Sequence, residues 1–145
     1  MNPGGITIVD YGVGNLHSLA RAFQQFGVEC CISEDADEIA MAQAVVLPGV
    51  GAFAAVMRGL RMRGLIETIQ AHGARGTPLL GICLGAQLLL TEGYEFGIFQ
   101  GLGLIPGRVV RFPFARAHEK VPQVGWNTLR PVSGVPWERT ILATV

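Results

Sequence analysis

PLLGICLGAQLL, residues 78–89, passes from a short apolar stretch through a glycine-flanked cysteine into helix-forming residues, and this passage decides the fold. Pro78, Leu79, Leu80, Gly81 and Ile82 read as a strand buried on both faces, and from Leu84 the pattern is helical. A strand that turns at once into a helix exposes the turn residue at the carboxyl edge of a parallel sheet, and Gly81 and Gly85 let neighbouring backbone approach without a Cβ in the way. Cys83 occupies that turn. The free N–H groups and dipole of the following helix favour a thiolate there, the form of cysteine that attacks carbon. Cysteine is also among the most buried residue types, so GICLG alone fits either a nucleophile or a small core residue.

The same rhythm extends upstream. ITIVD (6–10) reads as a strand, Gly12 and Gly14 break it, and Leu16, Leu19, Ala20, Phe23 and Phe26 recur at helical spacing, which predicts a helix. Asn15 suits its N-cap and Gly27 its stop, and residues 28–32 form a second strand. Ala44–Leu47 is a third strand, PGVG a loop, and Phe53, Val56, Met57 and Leu60 line a helix that resumes after Gly64 through Leu65, Ile66 and Ile69. Short apolar strands alternating with amphipathic helices predict a doubly wound, mostly parallel α/β sheet with helices on both faces, and ligands at its carboxyl edge. From Gly101 onward, GLGLIPGRVVRF and VPQVGWNTL are β-rich and broken by Gly and Pro, which predicts an antiparallel excursion.

The 145 residues are enough for one domain with a real core, and half of them are hydrophobic. Eleven basic residues balance eleven acidic ones, so no nucleic-acid footprint or polybasic membrane surface is expected. Cys30 and Cys31 are adjacent, a poor disulfide framework, and with Cys83 they make no metal-binding spacing; a reducing cytoplasm, with no cofactor and no metal, is the expectation. Neither a leader nor a spanning segment is read from the sequence.

Three loops, DYGVGN (10–15), PGVGAF (48–53) and GICLG (81–85), each follow a strand and precede a helix, so they converge on one edge of a parallel sheet. The first falls short of a dinucleotide fingerprint, because His17 stands where G-x-G-x-x-G needs a small residue. PGVGAF is either a tight turn or a cradle whose N–H groups meet a developing oxyanion; its place opposite Cys83 favours the cradle.

PGVGAF, GICLGAQLL, GLGLIPGRVVRF and VGWN, in this order after DYGVGN, closely resemble the glutaminase subunits of imidazole glycerol phosphate synthase, which are class I, triad-type glutamine amidotransferases. The resemblance covers nearly the whole chain and implies a flavodoxin-like sheet. It implies that Cys83 attacks the side-chain amide of glutamine, giving a thioester and ammonia, and that water then releases glutamate. The oxyanion would be held by the Leu84 N–H and the Gly49-Val50 peptide, which must reorient to serve. Gln87 and Glu95 would hold the amino-acid end of the substrate, with Gly51 lining the pocket; read without the resemblance, Gln87 is a polar helix residue and Glu95 a surface charge. The implied partner is a (β/α)8-barrel cyclase subunit, forming a heterodimer in histidine biosynthesis through which ammonia is channelled. Asn15 would couple the loops to that partner, and Lys120, Trp126 and Asn127 would face it.

The resemblance also implies a histidine and a glutamate beyond residue 145 that complete the triad, so the sheet of this stretch is expected to be incomplete, a single amidotransferase domain cut at its C-terminal end. No resident histidine substitutes on this reading. His17 and His72 read as solvated helix residues, and neighbours on a strand point to opposite faces, which separates His118 from Glu119. Little or no activity is therefore expected of residues 1–145 alone, since general acid–base help is worth roughly 10²–10⁴-fold. A non-catalytic short form that binds and regulates the cyclase, or one half of a split enzyme, are the alternatives. Gln123 stands where the family commonly has histidine.

Overall fold

The apolar runs pair as parallel strands: β1 (Ile6–Val9), β2 (Cys30–Ser33), β3 (Ala44–Leu47) and β4 (Leu79–Gly81) form a four-stranded sheet in the order β2-β1-β3-β4. This computed structural model describes residues 5–112, 125–130, 133–134, 136–141 and 143. Ile6 lies opposite both Cys30 and Ala44, and Val46 opposite Leu80. Parallel neighbours need crossovers, and α1 (Leu16–Gln25), α2 (Ala36–Met41), α3 (Phe53–Met62) and α4 (Leu65–Ala74) supply them. Strand alternation then sorts the core. Val9, Val45 and Leu47 join the main cluster with Ile39, Val56, Leu60 and Ile69, while Ile8 and Val46 are buried outside it on the opposite face.

Helix α2 was not read from the sequence, although its start carries the usual signal. Asp35 accepts hydrogen bonds from the Asp37 and Glu38 N–H groups at 2.8 and 3.0 Å, and the Ser33 hydroxyl donates to Glu38 at 2.6 Å. Helix α1 forms where its spacing predicts and packs shallowly. None of its residues is fully buried; Leu16, Leu19, Ala20 and Phe23 are half-buried, and Phe26, the residue after the last turn, is 85 % exposed. Asn15 is its N-cap residue by position, but its side chain makes no capping bond.

The later strands form a second sheet in the order β6-β5-β7, from β5 (Leu90–Gly93), β6 (Phe99–Gln100) and β7 (Ile105–Val109). The antiparallel expectation for the chain from Gly101 onward fails for β7, which runs parallel to β5; the antiparallel pair is β5 with β6, upstream of Gly101. The reason lies in the loop between: Gly101, Leu102 and Gly103 donate to the carbonyls of Thr91, Leu88 and Leu90, so the chain is led back along β5 and enters β7 in the same direction as β5. The first unit, residues 1–111, contains all of these elements; among the described residues of the second, 112–145, there is a short 3-10 turn at Trp137–Arg139. Residues 125–130 form no strand, which corrects the β reading of VGWN and its flanks, and residues 121–124 lie outside the described residues.

His72 is not solvated, as the sequence suggested, but wholly buried near the end of α4. Its Nε2 lies 3.2 Å from the Pro78 carbonyl and its Nδ1 3.5 Å from the Arg75 guanidinium. Arginine only donates, so Nδ1 accepts and the proton sits on Nε2, where it donates to Pro78. Burial holds the imidazole below its ordinary 6.5, against the pull of the Pro78 bond and with the help of the Arg75 charge. The folded chain therefore resists a proton that the unfolded chain accepts. The stability this protects is complete above pH 6.5 and is lost as pH falls from there through the lowered folded value. Urea midpoints measured between pH 7.5 and 5 should fall, with a shallower fall in His72→Gln; equal slopes in the two proteins would remove His72 as the cause.

Candidate active site

The elbow is built by close approach. Strand β4 ends at Gly81, its register partner is Leu47 at the end of β3, and the Ile82 N–H donates to the Leu47 carbonyl at 3.0 Å. One residue later Cys83 takes φ 56° and ψ −118°, outside the regions comfortable for a side-chain-bearing residue, and α5 (Leu84–Leu88) begins. Such a conformation costs about 1–3 kcal/mol and persists only where surroundings over-determine it. Here they do. A Cβ on Gly85 would sit 1.9 Å from the Leu47 carbonyl oxygen, and one on Gly49 would sit 2.4 Å from the Gly85 nitrogen. Without side chains at both positions, α5 seats directly on the end of β3 and its loop. The cysteine is left exposed at the sheet's carboxyl edge, as the sequence predicted.

This contact also brings Gly49 against Leu84, the two backbone positions expected to serve one oxyanion. Leu84 N–H is the first of α5, where the helix itself provides no acceptor. Gly49 is buried; Val50 and Gly51 are exposed, with nothing within 4 Å of a Cβ on Gly51. Gln87 is exposed on α5, its N–H bonded to the Cys83 carbonyl at 3.3 Å.

Glu95 joins the same edge through a contact the sequence did not suggest. Its carboxylate accepts a hydrogen bond from the Phe53 N–H at 2.8 Å, at the start of α3, where the N-cap residue Ala52 has no side-chain acceptor. Glu95 thus caps α3 two residues beyond Gly51. Glu95→Ala should lower stability by about 0.5–1 kcal/mol through the lost cap, whereas Glu95→Gln keeps an acceptor oxygen and should cost only a few tenths. Thermal midpoints of the two variants check this; equal losses would show that the cap contributes nothing.

Asn15 is exposed at the start of α1, in a loop that abuts the PGVGAF turn: a Cβ on Gly14 would lie 3.7 Å from the Pro48 ring. Tyr11 of the same loop is a participant that sequence reasoning missed. It is 2 % exposed, its hydroxyl donates to the Pro48 carbonyl, and burial pushes its pKa up to about 12. Trp126 and Asn127, in the second unit, are exposed; Lys120, His118, Glu119 and Gln123 lie outside the described residues. Among the described residues, no three His, Cys, Asp or Glu side chains are grouped to hold a metal ion, and no helix is long and apolar enough to cross a membrane.

The chain is similar to known proteins in sequence and in fold. The family described as Glutamine amidotransferase class-I matches residues 7–128. The chain is 47 % identical over 131 residues to the imidazole glycerol phosphate synthase subunit HisH of Lactococcus lactis subsp. lactis (strain IL1403), covering 90 % of this chain and 63 % of that protein. It is 47 % identical to HisH of Geobacter sulfurreducens, over 86 % of this chain and 61 % of that one. With HisH 1 of Legionella pneumophila (strain Lens) it shares 46 % identity over 97 % of its own length and 68 % of the relative. The chain thus spans about three-fifths to two-thirds of the length of these curated relatives. A solved structure described as "Crystal structure of glutamine amidotransferase" superposes with a TM-score of 0.65 over 78 % of this chain and 60 % of that one, at 23 % identity, which speaks to the fold alone. From the strand-turn-helix elbow, the opposing glycine loop and these matches, the chain belongs to the class-I glutamine amidotransferase family, in the branch of the HisH subunits.

Proposed function

We propose that the protein hydrolyses glutamine to glutamate and ammonia as the glutaminase subunit of imidazole glycerol phosphate synthase. The observation that carries this is the strained, exposed Cys83, whose next two residues, Leu84 and Gly85, seat against Gly49. The Cys83 thiolate adds to the side-chain amide carbon of glutamine, and the carbonyl oxygen becomes an anion beside Leu84 N–H. The Gly49-Val50 peptide turns its N–H to the same oxygen. Each such donor is worth roughly 10²–10³-fold in kcat. Collapse of the intermediate breaks the C–N bond, a proton goes to the departing ammonia, and water then cleaves the thioester to free glutamate and the thiol. Gln87 and Glu95 hold the amino-acid end of the substrate, and Gly51 leaves room for it.

The proton carrier is not His72, whose two nitrogens are engaged by Pro78 and Arg75 inside the core. On the reading of the sequence it is a histidine, backed by a glutamate, outside residues 1–145. The partner is a cyclase subunit, a (β/α)8 barrel, that takes the ammonia in a cytoplasmic heterodimer serving histidine biosynthesis. The family resemblance assigns contacts with it to Asn15, Lys120, Trp126 and Asn127. The test is glutamate release by the protein purified from its own cells, with and without that cyclase subunit. Release that depends on glutamine and rises with the partner supports the reading, and absence of release from the intact complex rejects it.

A further inference from the structure

We propose that Tyr11 is a positioning residue of the oxyanion loop: its hydroxyl pins the Pro48 carbonyl, so that the Gly49-Val50 peptide turns while the rest of the loop stays still. This rests on the glutaminase reading for its catalytic consequence and on geometry alone for the pinning.

Four observations bound the moving segment. Upstream, Leu47 is held in the sheet ladder opposite Gly81, and Pro48 is buried with its φ set by its ring. The Pro48 carbonyl, the next group along, takes the Tyr11 hydroxyl. Downstream, the Phe53 N–H is tied to the Glu95 carboxylate at 2.8 Å. Between these anchors the Gly49 Cα is wedged on Leu84 and Gly85, while Val50 is 52 % exposed and Gly51 is open. The free rotations left are those around the Gly49-Val50 peptide and Gly51.

A peptide plane between a wedged Gly49 and an exposed Val50 can turn through ψ of the first and φ of the second with little movement of its neighbours. Loss of the Tyr11 bond would free the Pro48-Gly49 peptide as well, so the loop would spread over more conformations and the one with its N–H at the oxyanion would be rarer. The tyrosine itself has nowhere to go. Its backbone and ring pack on α3, where a Cβ on Gly59 would lie 3.3 Å from the Tyr11 carbonyl oxygen and 3.8 Å from its ring. Burial keeps the hydroxyl protonated, and so a donor, throughout the neutral and mildly alkaline range.

The experiment is Tyr11→Phe in the full protein, read by steady-state kinetics with the cyclase subunit and by residue-resolved amide hydrogen exchange. The expected result is a kcat lowered about tenfold or more with KM within twofold, and exchange at Val50 and Gly51 at least tenfold faster, with β1 and β3 amides unchanged. A kcat within twofold of wild type together with unchanged exchange would overturn the proposal. So would slower turnover accompanied by faster exchange throughout β1 and β3, which is general loosening. If Tyr11→Phe fails to fold, the wild-type protein decides: the proposal requires Val50 and Gly51 amides to exchange at least a hundredfold faster than Leu47 and Phe53, and uniform protection across 47–53 contradicts it. If wild type releases no glutamate, the glutaminase reading fails while the exchange arm still rules on the pinning.

Discussion

Gly85→Ala is expected to lower stability by about 3 kcal/mol or more, at the top of the range for overpacking. The added methyl would stand 1.9 Å from the Leu47 carbonyl oxygen, 2.8 Å from its carbon and 3.0 Å from the Pro48 carbonyl carbon, all of them backbone. No side-chain rotation relieves such a contact. Either α5 lifts off the end of β3 or the β3 register gives way, and each removes packing around the buried Leu84 and Leu88. With a urea slope of about 2 kcal/mol/M the midpoint should drop by about 1.5 M. Gly5→Ala is the control, since its nearest non-neighbour atom is 3.9 Å away and its backbone is not left-handed; it should change the midpoint little. A Gly85→Ala midpoint within 0.3 M or so of wild type would mean that α5 does not seat on β3 as described.

Cys83→Gly carries the other large effect, and it acts in two directions. If Cys83 is the nucleophile of the proposed glutaminase, its removal should lower glutamine turnover by about 10⁴-fold or more. Removing the side chain from a φ 56°, ψ −118° position should at the same time raise stability, by about 1 kcal/mol, because glycine occupies that region without a Cβ clash. Loss of activity with gain in stability is the signature of strain held at a functional residue. Serine at Cys30 or Cys31, which lie on β2 at the far edge of the sheet order, should leave turnover within about twofold. Retained activity in Cys83→Gly, or a stability loss there, would separate the elbow from the chemistry.

How far the sequence could be read depends on the range of the interaction involved. β3 and the stripe of α3 were legible because a short apolar run and a helical period are local signals, and Val45, Val46, Leu47, Phe53, Val56, Met57 and Leu60 are buried as the pattern requires. The strand-to-helix turn at GICLG was legible from its local pattern, but the motif alone also fitted a small core residue, and it is the exposure of Cys83 that separates the two. The Tyr11 bond to Pro48 spans 37 positions and the Glu95 bond to Phe53 spans 42, and no periodicity encodes either. His72 misled for a related reason. Its neighbours Gly73 and Arg75 look like a fraying helix end, yet the chain doubles back at Thr77, whose hydroxyl donates to the His72 carbonyl, and the Pro78 carbonyl accepts from the ring. The direction of β7 was missed because it is set by the carbonyls of Leu88, Leu90 and Thr91, not by residues of β7 itself.

The most direct test of the account is the fate of Cys83 when the protein, purified from its own cells, meets a glutamine analogue that carries a diazoketone in place of the amide. Attack by a thiolate there expels nitrogen and leaves a stable carbon–sulfur bond. Tandem mass spectrometry of the digested protein should find one adduct per chain, on the peptide containing Cys83, and excess glutamine should prevent it. No adduct on Cys83, or labelling of Cys30 and Cys31 to the same extent and indifferent to glutamine, would contradict the assignment of Cys83 as the nucleophile.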